Sequence, residues 1–365
     1  RQANLDFFIS QSSVKGGGKS IPRAMQDDYA EFLKYGSAGA MAQANGLDQL
    51  PFWKRVSAHP AYDAFWQLQA VDRLVADKPS DVPTMWLQGM WDQEDIYGAV
   101  HAWEELKKAG HADNNHLVIG PWWHSQINRA GREMGPFTWH GDTTHDFRTQ
   151  VMIPFFDQYL VEGAPAKALP EAMIYDPVAD TWDSFAQWEV ASAQTLTPLY
   201  LQAGKGLGFG ESARGEDSYV SDPANPVPYL SRPIPAENDR WRTWLVQDQR
   251  FVAGRGDVLS FTSPVLEEGV TVEGAPIADI FAEITGSDAD FVVKLIDVYP
   301  DTYATDPKMA GYQLPVAMDI FRGRYRESFS DPTPIPAGKA QEYRFRLPTV
   351  NWTFEPGHRI MVQVQ

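Results

Sequence analysis

The 365 residues contain no cysteine. Disulfides, thiolate nucleophiles and Cys-based zinc sites are therefore excluded, while the compartment stays open, because exported chains also do without cysteine. No apolar run reaches the roughly 18 residues needed to cross a bilayer. Positive charge is scarce: 31 Lys and Arg stand against 48 Asp and Glu, a net −17 with no basic cluster. A polyanionic partner would be repelled over most of such a surface, which argues against nucleic acid and against an anionic membrane. Internal repeats and low-complexity tracts are absent.

What is present is a large supply of core. Hydrophobic residues make up 43% and charged residues 22%, with 13 Trp, 14 Tyr and 19 Phe, a composition that folds. At this length two or three domains are expected. Residues 1–80 carry helical patterns divided by loops, and the spacing of Tyr62, Phe65, Trp66, Ala70 and Leu74 predicts one amphipathic helix. From 81 the texture changes. Residues 82–89 read as a buried strand, Ile96, Val100, Trp103 and Leu106 mark a helix that Gly110 closes, and 116–120 is a second short apolar strand. That is a β-α-β unit and implies a parallel sheet. A further helix is expected over 147–160, bent at Pro154.

Helical periodicity disappears after about residue 190. Runs at 241–252, 278–285, 291–299 and 343–347, separated by Gly, Pro, Asp and Asn, predict the short strands of a β-sandwich or jelly roll. The fold class is therefore α/β plus all-β: a helical region (1–80), an α/β part (81–165), a linker (166–195) and a β-sandwich (196–365). The chain opens on Arg1 rather than Met and closes inside a strand-like run, so truncation at both ends is expected.

In a parallel sheet, loops at the carboxyl ends of the strands gather at one edge, where ligands and catalytic groups sit. The loop after the first strand holds Asp92, Glu94 and Asp95, and the loop after the second holds His124, 32 residues beyond Asp92. That span fits one helix and one strand, so the two should be neighbours. An Asp that fixes the tautomer of a His, which then takes a proton from a serine, is the pattern of a hydrolase triad. Spacing alone leaves open that Asp92 caps the following helix and His124 is an ordinary loop residue. Glu94 and Asp95 read in two ways as well. They complement a helix dipole, or with Asp92 they make a negative spot suited to a substrate ammonium.

Other motifs do not carry chemistry. No G-x-S-x-G elbow occurs, and Ser212, in Gly210-Glu211-Ser212-Ala213-Arg214-Gly215, has the wrong spacing and chain order. Gly18-Lys19-Ser20 lacks the first glycine of a phosphate loop, and Ser12-Ser13-Val14-Lys15 has no companion motif. His140, Asp142, His145 and Asp146 lack metal-ligand spacing, and His59, His101, His111, His116 and His358 are scattered; no metal or other cofactor is expected.

Three segments together carry a resemblance: Leu87-Gln88-Gly89-Met90-Trp91-Asp92-Gln93-Glu94-Asp95, Gly120-Pro121-Trp122-Trp123-His124-Ser125-Gln126 and Phe155-Phe156-Asp157-Gln158-Tyr159-Leu160. They resemble the α-amino-acid ester hydrolases, which group with cocaine esterase, glutaryl-7-aminocephalosporanic acid acylase and the X-prolyl dipeptidyl-peptidases. Asn4-Leu5-Asp6-Phe7-Phe8, Pro51-Phe52-Trp53 and His59-Pro60 are similar to that family's cap. The resemblance implies the C-terminal part of an α/β-hydrolase domain with a helical cap, then a jelly roll. It implies Asp92 as triad acid, His124 as triad base, and Glu94 and Asp95 as ligands of the substrate's α-ammonium. The substrate would be an α-amino acid ester or a β-lactam. By the same resemblance the serine, the oxyanion donors and a third carboxylate lie upstream of Arg1, so the chain alone is expected to be inactive. Homo-oligomers and a periplasmic or secreted location are also implied. Two alternatives remain at this point. One is a cocaine-esterase-like or glutaryl-acylase-like hydrolase without α-amino selectivity, and the other is a non-catalytic jelly-roll binding protein, disfavoured if Trp241, Trp244 and Trp352 are core.

Overall fold

The structure is a computed structural model that describes residues 21–211, 215–235 and 239–365. The segment 4–8, the patterns at 12–15 and 18–20, and Ser212 lie outside the described residues. Strands β1 (Thr84–Gly89) and β2 (Asn115–Gly120) pair in parallel, from Thr84 opposite Asn115 to Gly89 opposite Gly120. The helix Gly98–Lys108 makes the crossover and buries Val100, Trp103 and Leu106 at three-residue spacing. The Trp103 indole N–H donates to the Asn115 carbonyl at 3.1 Å, which ties the helix to the start of β2. Gly110 takes φ +86° just beyond the helix, a conformation that favours glycine.

After β2 come a small hairpin, β3 (Glu133–Met134) with β4 (Phe137–Thr138), and a helical stretch from Thr143 to Leu160. The expected irregularity at Pro154 appears as a π-helical turn, Arg148–Met152, immediately before it. Proline has no N–H to donate, so the preceding turn is free to widen. Strand β5 (Ala172–Asp176) then adds in parallel to β2, and β6 (Thr181–Phe185) pairs antiparallel with β5. Residues 166–195 are thus more than a linker, because the apolar Ala172, Ile174 and Tyr175 are buried in the sheet. The order is β1-β2-β5-β6, which among the described residues leaves β1 at an edge, half-buried where β2 is almost wholly buried.

Residues 28–77 form five short helices. Asp27, Ser37 and Asp63 each cap one with a side-chain oxygen. Their small core is Ile21, Phe32, Met41, Ala42 and Leu47. The single helix expected across 62–74 is instead two pieces, Ala64–Gln67 and Val71–Asp77, with no buried residue in either. Leu68 is 78% exposed. The stripe is only half-buried, which gives little reason for a continuous helix, and local bonds such as Gln67 Nε2 to the Tyr62 carbonyl turn the chain.

The remainder is β-rich: β7 (Tyr200–Gln202), β8 (Gly206–Gly208), β9 (Leu259–Thr262), β10 (Val270–Gly274), β11 (Ile277–Ala282), β12 (Asp290–Val298), β13 (Gln313–Arg322), β14 (Gln341–Arg346), β15 (Val350–Phe354) and β16 (Arg359–Val364). Six of them form one sheet, β13-β12-β16-β9-β8-β7, and the pairs β10-β15 and β11-β14 form ribbons. The ribbons share a core with the sheet: the Phe291 and Tyr343 rings lie 4.2 Å apart and Phe321 stacks on Phe345 at 5.0 Å. Trp352 is fully buried there, whereas Trp241 and Trp244 are only half-buried.

One expected strand is absent. Residues 241–252 form 3-10 turns, Asp239–Arg242 and Trp244–Val246, and the helix Arg250–Ala253. They are tied to the start of β13 and the residue before it at isolated points. The Tyr312 hydroxyl donates to the Val246 carbonyl at 2.7 Å, and the Gln249 N–H donates to the Gln313 carbonyl at 2.9 Å. Aromatic and β-branched composition alone does not supply a strand partner.

Candidate active site

Gly89 and Gly120 end adjacent strands in register, and the two loops that follow are laced together. The Met90 N–H donates to the Gly120 carbonyl at 2.8 Å and the Trp91 N–H to the Trp122 carbonyl at 3.2 Å. A Cβ on Gly89 would stand 2.5 Å from that Trp122 carbonyl, so only glycine allows this approach. Trp122 is buried against Phe147 and Trp182, with its indole N–H donated to Thr143 Oγ1 at 2.9 Å. The base of the second loop is therefore rigid.

Within this frame Asp92 and His124 meet. His124 Nδ1 lies 3.2 Å from both carboxylate oxygens of Asp92, which is 8% exposed. Asp92 Oδ1 also accepts the N–H groups of Glu94 (2.9 Å) and Asp95 (2.8 Å). Its side chain does not cap the helix, which begins at Gly98 with no side-chain cap, and no acidic residue lies in that helix's first turn. The capping reading of Asp92 and the helix-dipole reading of Glu94 and Asp95 thus give way to a loop in which all three surround one imidazole. Glu94 Oε1 is 3.8 Å from His124 Nε2, and Asp95 Oδ2 is 3.5 Å from Nδ1. Asp95 is mostly exposed and Glu94 mostly covered. Burial pushes the Glu94 carboxyl above the usual carboxylate range against the pull of His124, and the charges of Asp95 and Asp92 push it the same way.

Two glutamines complete the loop. Gln93 Oε1 accepts the His124 backbone N–H at 3.1 Å. Gln126, 2% exposed, accepts the Trp123 N–H and donates to the Ala130 and Glu133 carbonyls. Their sequence offers no signal for these jobs beyond position beside Asp92 and His124. The cleft over the pair holds about 600 Å³ and is lined by Asp92, Glu94, Asp95, Tyr97, Trp123 and His124 among others. Among the described residues no serine hydroxyl hydrogen-bonds to the imidazole, and no group of three or more His, Asp or Glu side chains is arranged to hold a metal ion.

The other sequence candidates do local work. Asp142 caps Thr143–Phe147, His140 pairs with Asp180, and His59 pairs with Asp63 at 2.6 Å. His116 Nδ1 bonds the Pro170 carbonyl at 2.8 Å, and His358 bonds Asp297 in the β-rich core.

An Asp–His pair held by loops at the carboxyl ends of neighbouring parallel strands, with an all-β half attached, defines an α/β-hydrolase type of chain. Residues 1–126 match the family model described as X-Pro dipeptidyl-peptidase (S15 family), and residues 164–365 match the X-Pro dipeptidyl-peptidase C-terminal non-catalytic domain. The chain belongs to the X-Pro dipeptidyl-peptidase (S15) family. Cocaine esterase of Rhodococcus sp. (strain MB1 Bresler) is 29% identical over 99% of this chain and 64% of its own length. A solved α-amino acid ester hydrolase is 50% identical with a TM-score of 0.95, over 100% of this chain and 61% of its own. An aminopeptidase from a marine sediment archaeon (Thaumarchaeota archaeon) is 43% identical with a TM-score of 0.94, over 100% and 60%. The chain spans about three-fifths of the length of these relatives.

Proposed function

We propose that these residues supply the acid and base of a serine hydrolase that cleaves α-amino acid esters, and that the serine comes from sequence outside the 365 residues. The observation that carries the reading is the imidazole of His124, bonded through Nδ1 to Asp92 with Glu94 and Asp95 also within 4 Å. Asp92 fixes the tautomer with the proton on Nδ1, and Nε2 takes the proton from the serine as its oxygen attacks the ester carbonyl. His124 then returns that proton to the leaving alcohol. Water repeats the sequence on the acyl-enzyme, and an amine such as a β-lactam nucleus would divert it to acyl transfer. Without the serine and its oxyanion donors, the 365 residues alone are inactive.

Glu94 and Asp95 select a free α-amino group. An ammonium arriving beside them neutralises the Glu94 carboxylate, which burial and the neighbouring charges of Asp95 and Asp92 otherwise disfavour. The β-rich half, which we read as a jelly roll, packs behind the acid loop. The test compares an α-amino ester with its N-acetyl form on the full-length protein. A kcat/KM advantage of at least about 100-fold for the free amine, near 3 kcal/mol, supports the reading. Equal rates favour the second reading, an esterase without α-amino selectivity, for which the similarity to cocaine esterase speaks.

A further inference from the structure

The acid loop has a second anchor, and it lies in the β-rich half. Tyr97 stands two residues beyond Asp95, lines the cleft, and opens the crossover helix as its N-terminal flank. Its hydroxyl donates to Asp319 Oδ2 at 2.5 Å, joining positions 222 residues apart. Burial and the Asp319 charge push the phenol far above its usual range, so it remains a donor. Asp319 sits on β13, and its other oxygen accepts the Ile320 N–H at 2.6 Å. Among the described residues this is the one side-chain hydrogen bond from 92–97 to the β-rich half. The same face of the helix is moored further along, where Glu104 bonds Arg346 (2.7 Å) and the Ala191 N–H (3.1 Å).

The two ends of the loop are therefore held by different halves of the chain. Asp92 is fixed from the sheet side by the turn after β1 and by His124. Asp95 is tied to Asp92 through its backbone N–H, but its side chain makes no hydrogen bond among the described residues, and the next side-chain anchor along the loop is Tyr97.

We propose that Asp319 is a positioning residue which, through Tyr97, sets where Glu94 and Asp95 stand over the cleft, so that the β-rich half governs selectivity for the α-ammonium. The selectivity part rests on the reading of those carboxylates given above; the positioning part does not. Loss of the bond frees the Glu94–Asp95 side of the loop while leaving the Asp92–His124 pair in place. KM for an α-amino ester should then rise about 2- to 10-fold, the worth of one hydrogen bond, with kcat nearly unchanged. An N-acetyl ester should show no change.

The test uses the full-length protein with Tyr97→Phe, Asp319→Ala, Asp319→Asn and the Tyr97→Phe/Asp319→Ala double variant. Asp319→Asn can keep a bond to the phenol, its oxygen accepting the Ile320 N–H while its amide NH2 donates to the Tyr97 oxygen, and should restore the KM that Asp319→Ala loses. The double variant should be no worse than the poorer single one, because both remove one bond. Amide hydrogen exchange over 92–98 supplies a readout independent of substrate, and should quicken in Tyr97→Phe and Asp319→Ala but not in Asp319→Asn. Unchanged exchange, or equal losses for the amino and N-acetyl esters, overturns the proposal. Faster exchange in an enzyme that shows no preference for the free amine leaves the anchor standing and overturns the amino-ester reading instead.

Discussion

Replacing Asp92 with asparagine tests the pair at its most exacting point. Asparagine keeps an oxygen that can accept the Glu94 and Asp95 N–H groups, now bonded at 2.9 and 2.8 Å, so the loop keeps its shape. The amide NH2 must then occupy the place of the second oxygen, 3.2 Å from His124 Nδ1, and the other oxygen, equally near Nδ1, already accepts two backbone N–H groups. Two donors cannot face each other, so the imidazole turns its Nδ1 lone pair toward the amide and carries its proton on Nε2. In that tautomer it cannot accept the serine proton. Loss of tautomer control in such a pair costs about 10⁴-fold in kcat, ~5.5 kcal/mol at 1.36 kcal/mol per decade. Asp92→Ala loses the two backbone bonds as well and should be destabilised by a further 1–3 kcal/mol, roughly the penalty of unsatisfied buried donors. The assay is steady-state ester hydrolysis by the full-length protein, with Tm recorded for each variant. A loss smaller than about tenfold for Asp92→Asn, with Tm unchanged, would refute the assignment of Asp92 as the group that orients His124.

Other consequences are more local. Because burial raises Glu94, the folded state holds that proton more tightly than the unfolded chain does, so ionised Glu94 costs stability above the ordinary carboxylate range and nothing below it. Glu94→Gln should raise Tm at neutral pH, the gain vanishing as the pH falls to about 4, while the preference for a free amine drops. Lys294, 5% exposed on β12 and bonded among the described residues only to Gln249 Oε1 at 2.7 Å, has its pKa lowered by burial from 10.5 to about 8. Its folded state binds the proton less tightly, so its cost is full below about pH 8 and disappears as the pH rises through the ordinary lysine range. Lys294→Met should therefore gain Tm relative to the parent at pH 7 and lose that advantage by about pH 10.5, as followed by thermal melts. Gly120→Ala places a Cβ 2.4 Å from the Trp122 ring. A loss of about 1–3 kcal/mol in denaturant unfolding is expected, together with a drop in activity as the His124 loop shifts.

The β-α-β unit was legible because its periodicities coincide with what is buried: Val100, Trp103 and Leu106 are buried on the helix, and β2 carries the buried apolar run Leu117, Val118 and Ile119. Asp92 and His124 were legible for a related reason, since loops at the ends of adjacent parallel strands must converge. Periodicity misled where burial did not follow it. The stripe from Tyr62 to Leu74 has no fully buried residue, and residues 241–252 touch β13 at isolated points. The segment 166–195 looked like a connector because its strands are five residues long and follow Gly163-Ala164-Pro165. Bonds that hold the site from a distance left no local trace. Nothing in the spacing of Tyr97 announces Asp319, and the role of Gln93 depends on a backbone N–H in another loop.

The most direct measurement of the central claim is covalent labelling of the full-length protein with a fluorophosphonate, which reacts with serines activated by a neighbouring base. One serine should be modified, mapped by mass spectrometry to sequence outside the 365 residues, and His124→Ala should abolish its modification. A modified serine within residues 1–365, or labelling that persists without His124, would contradict the assignment of Asp92 and His124 as the acid and base of a serine supplied from elsewhere.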